Sequence, residues 1–241
     1  MAGISKSERE EINKKVYKPL MWIGIASIIM LFAGFSSGYI VSKADAIWLK
    51  IILPDAFITS SVILIISSIT FFVGQRCVAK NKMAAAKALI GITLVLGVLF
   101  IVYQVKGYQH LNEKGSFFSN GKVSTVIEKG EYGKDYLLMK NGIELAEKDG
   151  QFYDPIDAGY LKPVKNLDFE KVNRTASYIF ALSGIHIAHL IGGILSLLFV
   201  FIKTLRGRYT PENYLGMQVS SIYWHFLDFL WLYLFAFLTF F

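Results

Sequence analysis

The sequence predicts an all-α integral membrane protein: a bundle of five transmembrane helices, with an extramembrane β-hairpin insertion between helices three and four. Three observations carry this expectation. Hydrophobic residues make up 54% of the 241 positions and aromatic residues 15%, an integral-membrane profile. The charges fall into short blocks separating five apolar runs, each near or above the ~20 residues a helix needs to cross hydrocarbon. Residues 109–173 break the pattern, with alternating lysines and carboxylates and repeated glycines. The formal net charge of +7 is no sign of nucleic-acid binding, because its placement in short blocks matters more than its total. The single Cys77 excludes an internal disulfide, and no Cys/His spacing resembles a zinc site.

The expected boundaries are an N-terminal segment 1–18, spans one to three within 19–108, a polar insertion 109–173, and spans four and five within 174–241. Residues 1–18 mix Lys6, Arg9, Lys14, Lys15 and Lys18 with Glu8, Glu10 and Glu11, as a short amphipathic surface helix would. Pro19 suits the start of span one, which runs to about Val41, because a missing N–H is harmless there. The run is too long for a signal-peptide core and lacks a cleavage pattern, so the first helix is expected to be retained. Gly34 and Gly38 are a small-xxx-small pair for close helix approach. Span two follows Pro54 to about Gly74, and its Ser and Thr residues are expected to bond back to carbonyls of their own helix. Span three covers about Ala84 to Tyr103 and extends toward Tyr108, with Gln104 and Lys106 placed to snorkel.

Within the insertion, Lys122–Ile127 and Tyr136–Met139 have strand character, and Lys140-Asn-Gly-Ile reads as a hairpin turn. Tyr132, Tyr136, Phe152, Tyr153 and Tyr160 supply aromatic material for a small core, which argues against disorder. Span four runs from about Ala176 to Ile202, where Gly184, Ala188, Gly192 and Ser196 recur every four residues as a smooth packing stripe. Span five begins near Val219 and reaches the last residue.

Lysine and arginine placement decides the expected orientation. Twelve lie in the N-terminal segment, the loop between spans two and three, and the loop between spans four and five. Only Lys43 and Lys50 lie between spans one and two. The N-terminus is therefore expected in the cytoplasm, and the insertion and C-terminus outside, on the periplasmic side.

His186, His189, His225 and Asp228 are costly in hydrocarbon and should face protein. At about 1.5 Å per residue, His189 falls roughly 20 Å from the outer end of span four. His225 and Asp228 fall roughly 9 and 14 Å into span five from the other side. A buried polar cluster of His189, His225 and Asp228 is expected, with His186 nearer the outer leaflet. Three roles stand open for it: interhelical hydrogen bonding, a proton or water path, or haem ligation by a histidine pair. The chain has four histidines, one of them (His110) outside the spans, and no Cys-x-x-Cys-His motif.

Tyr223-Trp-His-Phe-Leu-Asp-Phe-Leu-Trp-Leu-Tyr-Leu-Phe resembles the closing helix of subunit III of haem–copper oxidases, where Tyr-Trp-His-Phe-Val-Asp-Val-Val-Trp recurs. Ser183-Gly-Ile-His-Ile-Ala-His-Leu-Ile-Gly-Gly is similar to that family's Thr-Gly-Phe-His-Gly-Leu-His-Val-Ile-Ile-Gly. Leu53-Pro, Thr59-Ser-Ser-Val-Ile-Leu, Ile92-Thr-Leu-Val-Leu-Gly-Val-Leu-Phe-Ile-Val-Tyr-Gln, Met21-Trp and Met30-Leu-Phe-Ala-Gly match it in kind and order. The resemblance covers the five spans and not the insertion. Two membrane glutamates of the family are absent, with Ile28 following Ser27 and Gly107 at the second position.

The resemblance implies the short five-helix bacterial form, in the inner membrane. It implies a subunit without catalytic residues or metal ligands, packing on catalytic subunit I and near subunit II, and holding phospholipid. It supports stability and proton uptake, while haem and copper reside in partner subunits. His186, His189, His225 and Asp228 become the polar core of the bundle, and Gly34, Gly38, Gly184, Ala188 and Gly192 its packing positions. The insertion is expected to meet a periplasmic or supercomplex partner. An accessory subunit of a nitric oxide reductase, a haem-binding membrane protein and a small transporter are the alternatives. The electron donor, cytochrome c or quinol, belongs to other subunits.

Overall fold

The computed structural model describes residues 6–43, 47–118, 121–148, 150–154, 163–164 and 169–241. Tyr160 and residues 1–5 of the N-terminal segment lie outside them. Among the described residues, five helices are long and apolar enough to cross a membrane: α1 (Lys6–Lys43), α2 (Asp55–Ala79), α3 (Met83–Glu113), α5 (Arg174–Leu205) and α6 (Leu215–Phe240). All extend past the apolar runs that announce them. A helix ends where its last carbonyls find other donors, not where hydrocarbon ends. α2 closes with Asn81 in the left-handed region (φ 57°) and Lys82 N–H donating to Cys77 O at 2.8 Å. After α5, Gly207 (φ 64°) places Arg208 N–H on Lys203 O at 3.0 Å. Both are the left-handed C-terminal cap that Asn and Gly allow at least cost.

Pro19 is not a helix start. It lies inside α1, which is continuous from Lys6, so residues 6–18 are joined to the first helix without a break, and the candidate span within it is Lys15–Lys43.

The chain forms two compact units. One comprises residues 1–33, 60–102 and 186–233; its core is built on Phe71, Ile90, Phe100, Leu197, Trp224 and Trp231, all buried. Here α2 hydroxyls reach other helices as well as their own carbonyls. Thr70 Oγ1 lies 2.9 Å from Thr93 Oγ1 of α3, and Ser61 Oγ accepts the Trp231 indole N–H of α6 at 2.9 Å. The expected back-bonding holds at Thr59, which donates to Asp55 O in the other unit, and at Thr70, which also donates to Ser67 O.

The other unit comprises residues 34–59, 103–185 and 234–241 and contains the insertion. β2 (Tyr136–Lys140) and β3 (Ile143–Glu144) form the expected hairpin across Asn141 (φ 51°) and Gly142 (φ 81°), the two positive φ angles of a type I′ turn. β2 is also the centre of a three-stranded sheet, because β1 (Ile47–Ile51), between α1 and α2, pairs antiparallel with it from Ile47↔Lys140 to Ile51↔Tyr136. A second hairpin joins β4 (Ala146–Lys148) and β5 (Gln151–Tyr153). The strand expected at Lys122–Ile127 is instead the helix α4 (Val123–Lys129). Its β-branched residues favour strand locally, but burial of Val126 on one face overrides that weak preference.

Tyr132, Tyr136, Phe152 and Phe169 form a chain of aromatic contacts at 5.6–6.0 Å between ring centroids. At the helix ends of the same unit, Tyr39 contacts Trp48, Tyr178 and Phe237. Gln104 is wholly buried, so it does not snorkel.

Candidate functional site

α6 is the helix around which the polar groups gather, since its period brings His225, Asp228 and Trp231 toward one side. His225 Nδ1 lies 2.5 Å from Ser68 Oγ of α2, with the rings of Phe71 and Phe72 beyond 6 Å on either flank. Its Nε2 is buried without a hydrogen bond. Asp228 is 4% exposed, and neither carboxyl oxygen has a hydrogen bond of ordinary geometry; Ser68 is the polar side chain that interacts with it. One hydroxyl on α2 therefore stands beside both ionisable groups of α6.

In the expected buried polar cluster of His189, His225 and Asp228, no hydrogen bond joins the side chains of His225 and Asp228 to each other or to His189. The partner of His225 comes from α2, whereas His189 offers its main-chain carbonyl to Tyr223 O–H at 3.1 Å and sets its ring 6.0 Å from Phe32. Equal depth brought these residues together in the sequence reading, but the helical phase of α5 turns His189 toward α1. His186 is wholly buried, its ring 5.4 Å from Trp231 and 6.3 Å from Phe100, with both nitrogens lacking hydrogen bonds. His110 lies at the end of α3, 3.8 Å from Asp135. Among the described residues, no three His, Cys, Asp or Glu side chains meet at metal-binding spacing.

The packing positions also shift. A Cβ on Gly38 would sit 3.1 Å from Tyr178 Oη, a close approach of the expected kind. Around Gly34 and Gly184 a Cβ would meet nothing within 4 Å, and at Gly192 only Tyr223 Oη at 3.8 Å. The closest approaches to glycine in the first unit lie instead at Gly97 and Gly193. Both receive the Trp224 ring, at 2.8 and 3.4 Å from an added Cβ, and Leu227 comes within 2.8 Å of Gly193. A four-residue stripe predicts a smooth helix surface but not which neighbour finds it. Trp224, fully buried, selects the adjacent glycine. Ser68, Gly97 and Gly193 are thus the residues that sequence reasoning missed. The Gly192-Gly193 pair was the available signal for the last.

Chemically, the arrangement locks imidazoles into aromatic surroundings and gives α6 two polar anchors on α2, Ser68 at His225 and Ser61 at Trp231. Such sparse satisfaction is expensive in hydrocarbon and tolerated only where packing fixes it.

The family model described as cytochrome c oxidase subunit III matches residues 172–241, the whole of α5 and α6. "Probable cytochrome c oxidase subunit 3" of Nocardia farcinica is 25% identical over 89% of this chain and 82% of its own length. "Cytochrome c oxidase subunit 3" of Corynebacterium diphtheriae is 24% identical over 86% of this chain and 79% of its own. The chain is thus similar to subunit III of the cytochrome c oxidases, through α5 and α6 by the family model and along most of its length by these relatives. Family similarity reaches beyond the two matched helices, since the Synechocystis protein of the same name is 23% identical over 85% of this chain and 67% of its own. Ser68 lies outside the matched residues 172–241, whereas its partner His225 lies within them.

Proposed function

We propose that the chain works as subunit III of a respiratory haem–copper terminal oxidase, packing on the catalytic subunit and supporting its stability and proton uptake. The observation that carries this reading is the family match through α5 and α6, where Tyr223, Trp224, His225, Asp228 and Trp231 stand. Subunit III in this role is non-catalytic, and haem and copper belong to its partners. The aromatic packing of His186 and the Ser68 contact of His225 support a structural use of these groups. Phospholipid is expected between the helices.

The placement is a bacterial inner membrane, with the N-terminus cytoplasmic and the insertion and C-terminus outside. Twelve lysines and arginines on one side against two on the other support this. So does the pairing of β1, which follows α1, with β2, which follows α3, since both must then emerge on one face. The insertion carries 11 acidic residues and 9 lysines, too balanced to attract a basic electron carrier strongly. Its role is contact with a neighbouring periplasmic subunit or complex. Replacing residues 143–170 by a short loop should release that neighbour and leave the oxidase core assembled; unchanged association would refute this role.

The test of the main reading is gentle purification through a tag, with a visible spectrum and a peptide inventory. A many-helix catalytic subunit with a-type or b-type haem bands should accompany the chain. A colourless, solitary protein would overturn the reading in favour of a transporter. A solitary protein carrying haem would make the histidines cofactor ligands. Co-purification with a nitric oxide reductase would move it to that relative's complex.

A further inference from the structure

The end of α5 and the start of α6, both in the first unit, are finished differently. The last carbonyls of α5 are capped: the N–H groups of Arg206, Gly207 and Arg208 donate to Ile202 O, Thr204 O and Lys203 O. α6 starts without such closure. Tyr214 O accepts from Met217 N–H and Gln218 N–H, and the first turn carries no acidic residue. Among the described residues, the Leu215 and Gly216 N–H groups stay open at the positive end of a 26-residue helix.

Between these ends lies a cavity of about 500 Å³, a volume typical of small-molecule sites. Lys203 and Arg208 line it, drawn together by the cap bond between their backbones, and no carboxylate is among its lining residues. Tyr17, Leu215 and Val219 give it ring and aliphatic surface.

Two cations in a loop between spans need no ligand, because they serve to orient the chain. Tyr209 is harder to explain that way. It lines the cavity and is 8% exposed, and among the described residues its hydroxyl makes no hydrogen bond. The hydroxyl is aimed at the open helix start, since a Cβ on Gly216 would sit 3.1 Å from Tyr209 Oη. Gly216 is itself exposed and lines the same cavity. A nearly buried donor therefore stands on the cavity wall, beside two cations and the unclosed turn. Burial also holds the phenol above its ordinary pKa, so it keeps its proton.

We propose that this cavity binds a soluble nucleoside phosphate. Lys203, Arg208 and the first turn of α6 take the phosphate, and Tyr209 donates its O–H to a phosphate oxygen. The nucleoside lies on Tyr17, Leu215 and Val219, surface that an inorganic oxyanion would leave unused. That such a ligand arrives from the cytoplasm rests on the orientation proposed above; the site itself does not.

The experiment is equilibrium dialysis of radiolabelled ADP against the full chain in phosphatidylcholine nanodiscs, where both membrane faces meet solvent. One ADP per chain should bind saturably, with adenosine and inorganic phosphate each competing at least about tenfold more weakly. Tyr209→Phe removes the hydroxyl alone and should weaken binding about tenfold, the loss of a charge-assisted hydrogen bond. Lys203→Gln combined with Arg208→Gln should abolish binding. Should that pair lose helical circular dichroism, Tyr209→Phe decides alone. No saturable binding, wild-type binding by Tyr209→Phe, or phosphate competing as well as ADP would overturn the proposal. So would displacement of ADP by phosphatidylglycerol added to the disc, which would give the cavity to a lipid headgroup. Because both faces are open in the disc, failure refutes the site and leaves the orientation and the oxidase reading untouched.

Discussion

Polar groups inside the spans and polar groups in the insertion are held by opposite means. Among the described residues His225 is hydrogen-bonded to Ser68, and His186, with no hydrogen bond at either nitrogen, lies against the rings of Phe100 and Trp231. Asp135, ahead of β2, is surrounded: its Oδ2 accepts the Glu131 N–H at 2.8 Å and Lys114 Nζ at 2.9 Å, with His110 at 3.8 Å. It ties the end of α3 to the sheet, since its carbonyl also accepts Ile52 N–H at 2.9 Å. In hydrocarbon each lost partner is felt because nothing replaces it, whereas in the insertion water can replace any of them. Few contacts therefore carry more weight in the spans than many do outside them.

Substitutions can break or sharpen this contrast. The largest effect is expected at Gly97→Leu, which drives a side chain into Trp224. Overpacking of this kind costs about 1–3 kcal/mol and should lower the detergent melting temperature, while Gly184→Leu leaves it unchanged. Equal effects at the two glycines would refute Trp224 as the selector of packing. Next comes Ser68→Ala, which strips His225 Nδ1 of its partner. A loss of about 1–2 kcal/mol in denaturant unfolding is expected, against no change for Thr59→Ala, whose hydroxyl bonds back to its own helix.

Outside the spans the effects are smaller and depend on pH. Burial alone would raise the Asp135 carboxyl, but the Glu131 N–H and the Lys114 ammonium outweigh it and hold it below the ordinary aspartate value. A depressed carboxyl stabilises the folded form above the unfolded value near 3.8, and that contribution disappears as pH falls through the lower folded value. Acid titration should thus loosen the end of α3 and β2 in the wild type, with Asp135→Asn already loosened at pH 7 and flat below pH 4. Hydrogen exchange of the Ile52 amide reads this directly.

Tyr136 responds at the other extreme. Burial, reinforced by Glu147, pushes its phenol up to about 12. The neutral form is favoured by folding, so this stabilisation is complete below 10 and is lost as pH rises through about 12. Tyr136→Phe should therefore blunt the alkaline loss of insertion structure followed by near-ultraviolet circular dichroism. The smallest effect belongs to Lys134→Ala. It removes a fully exposed ion pair to Glu131, and the melting temperature should not move.

Much of the architecture was legible in the residues. Five apolar runs set five helices because a backbone in lipid must satisfy its own hydrogen bonds, and Asn141-Gly142 set a hairpin because those residues alone tolerate two positive φ angles cheaply. Composition and patterning also marked the ionisable residues that needed shelter. Only the tertiary structure decided who shelters them. It gave His225 to Ser68, sent His189 toward Phe32, moved the close helix approach from Gly192 to Gly193, and recruited Ile47–Ile51 into the insertion's sheet. Each of these depends on rotation about a helix axis or on pairing between segments far apart in the chain. A linear pattern specifies a hydrophobic period, but the phase at which two helices meet is fixed only when their side chains interlock.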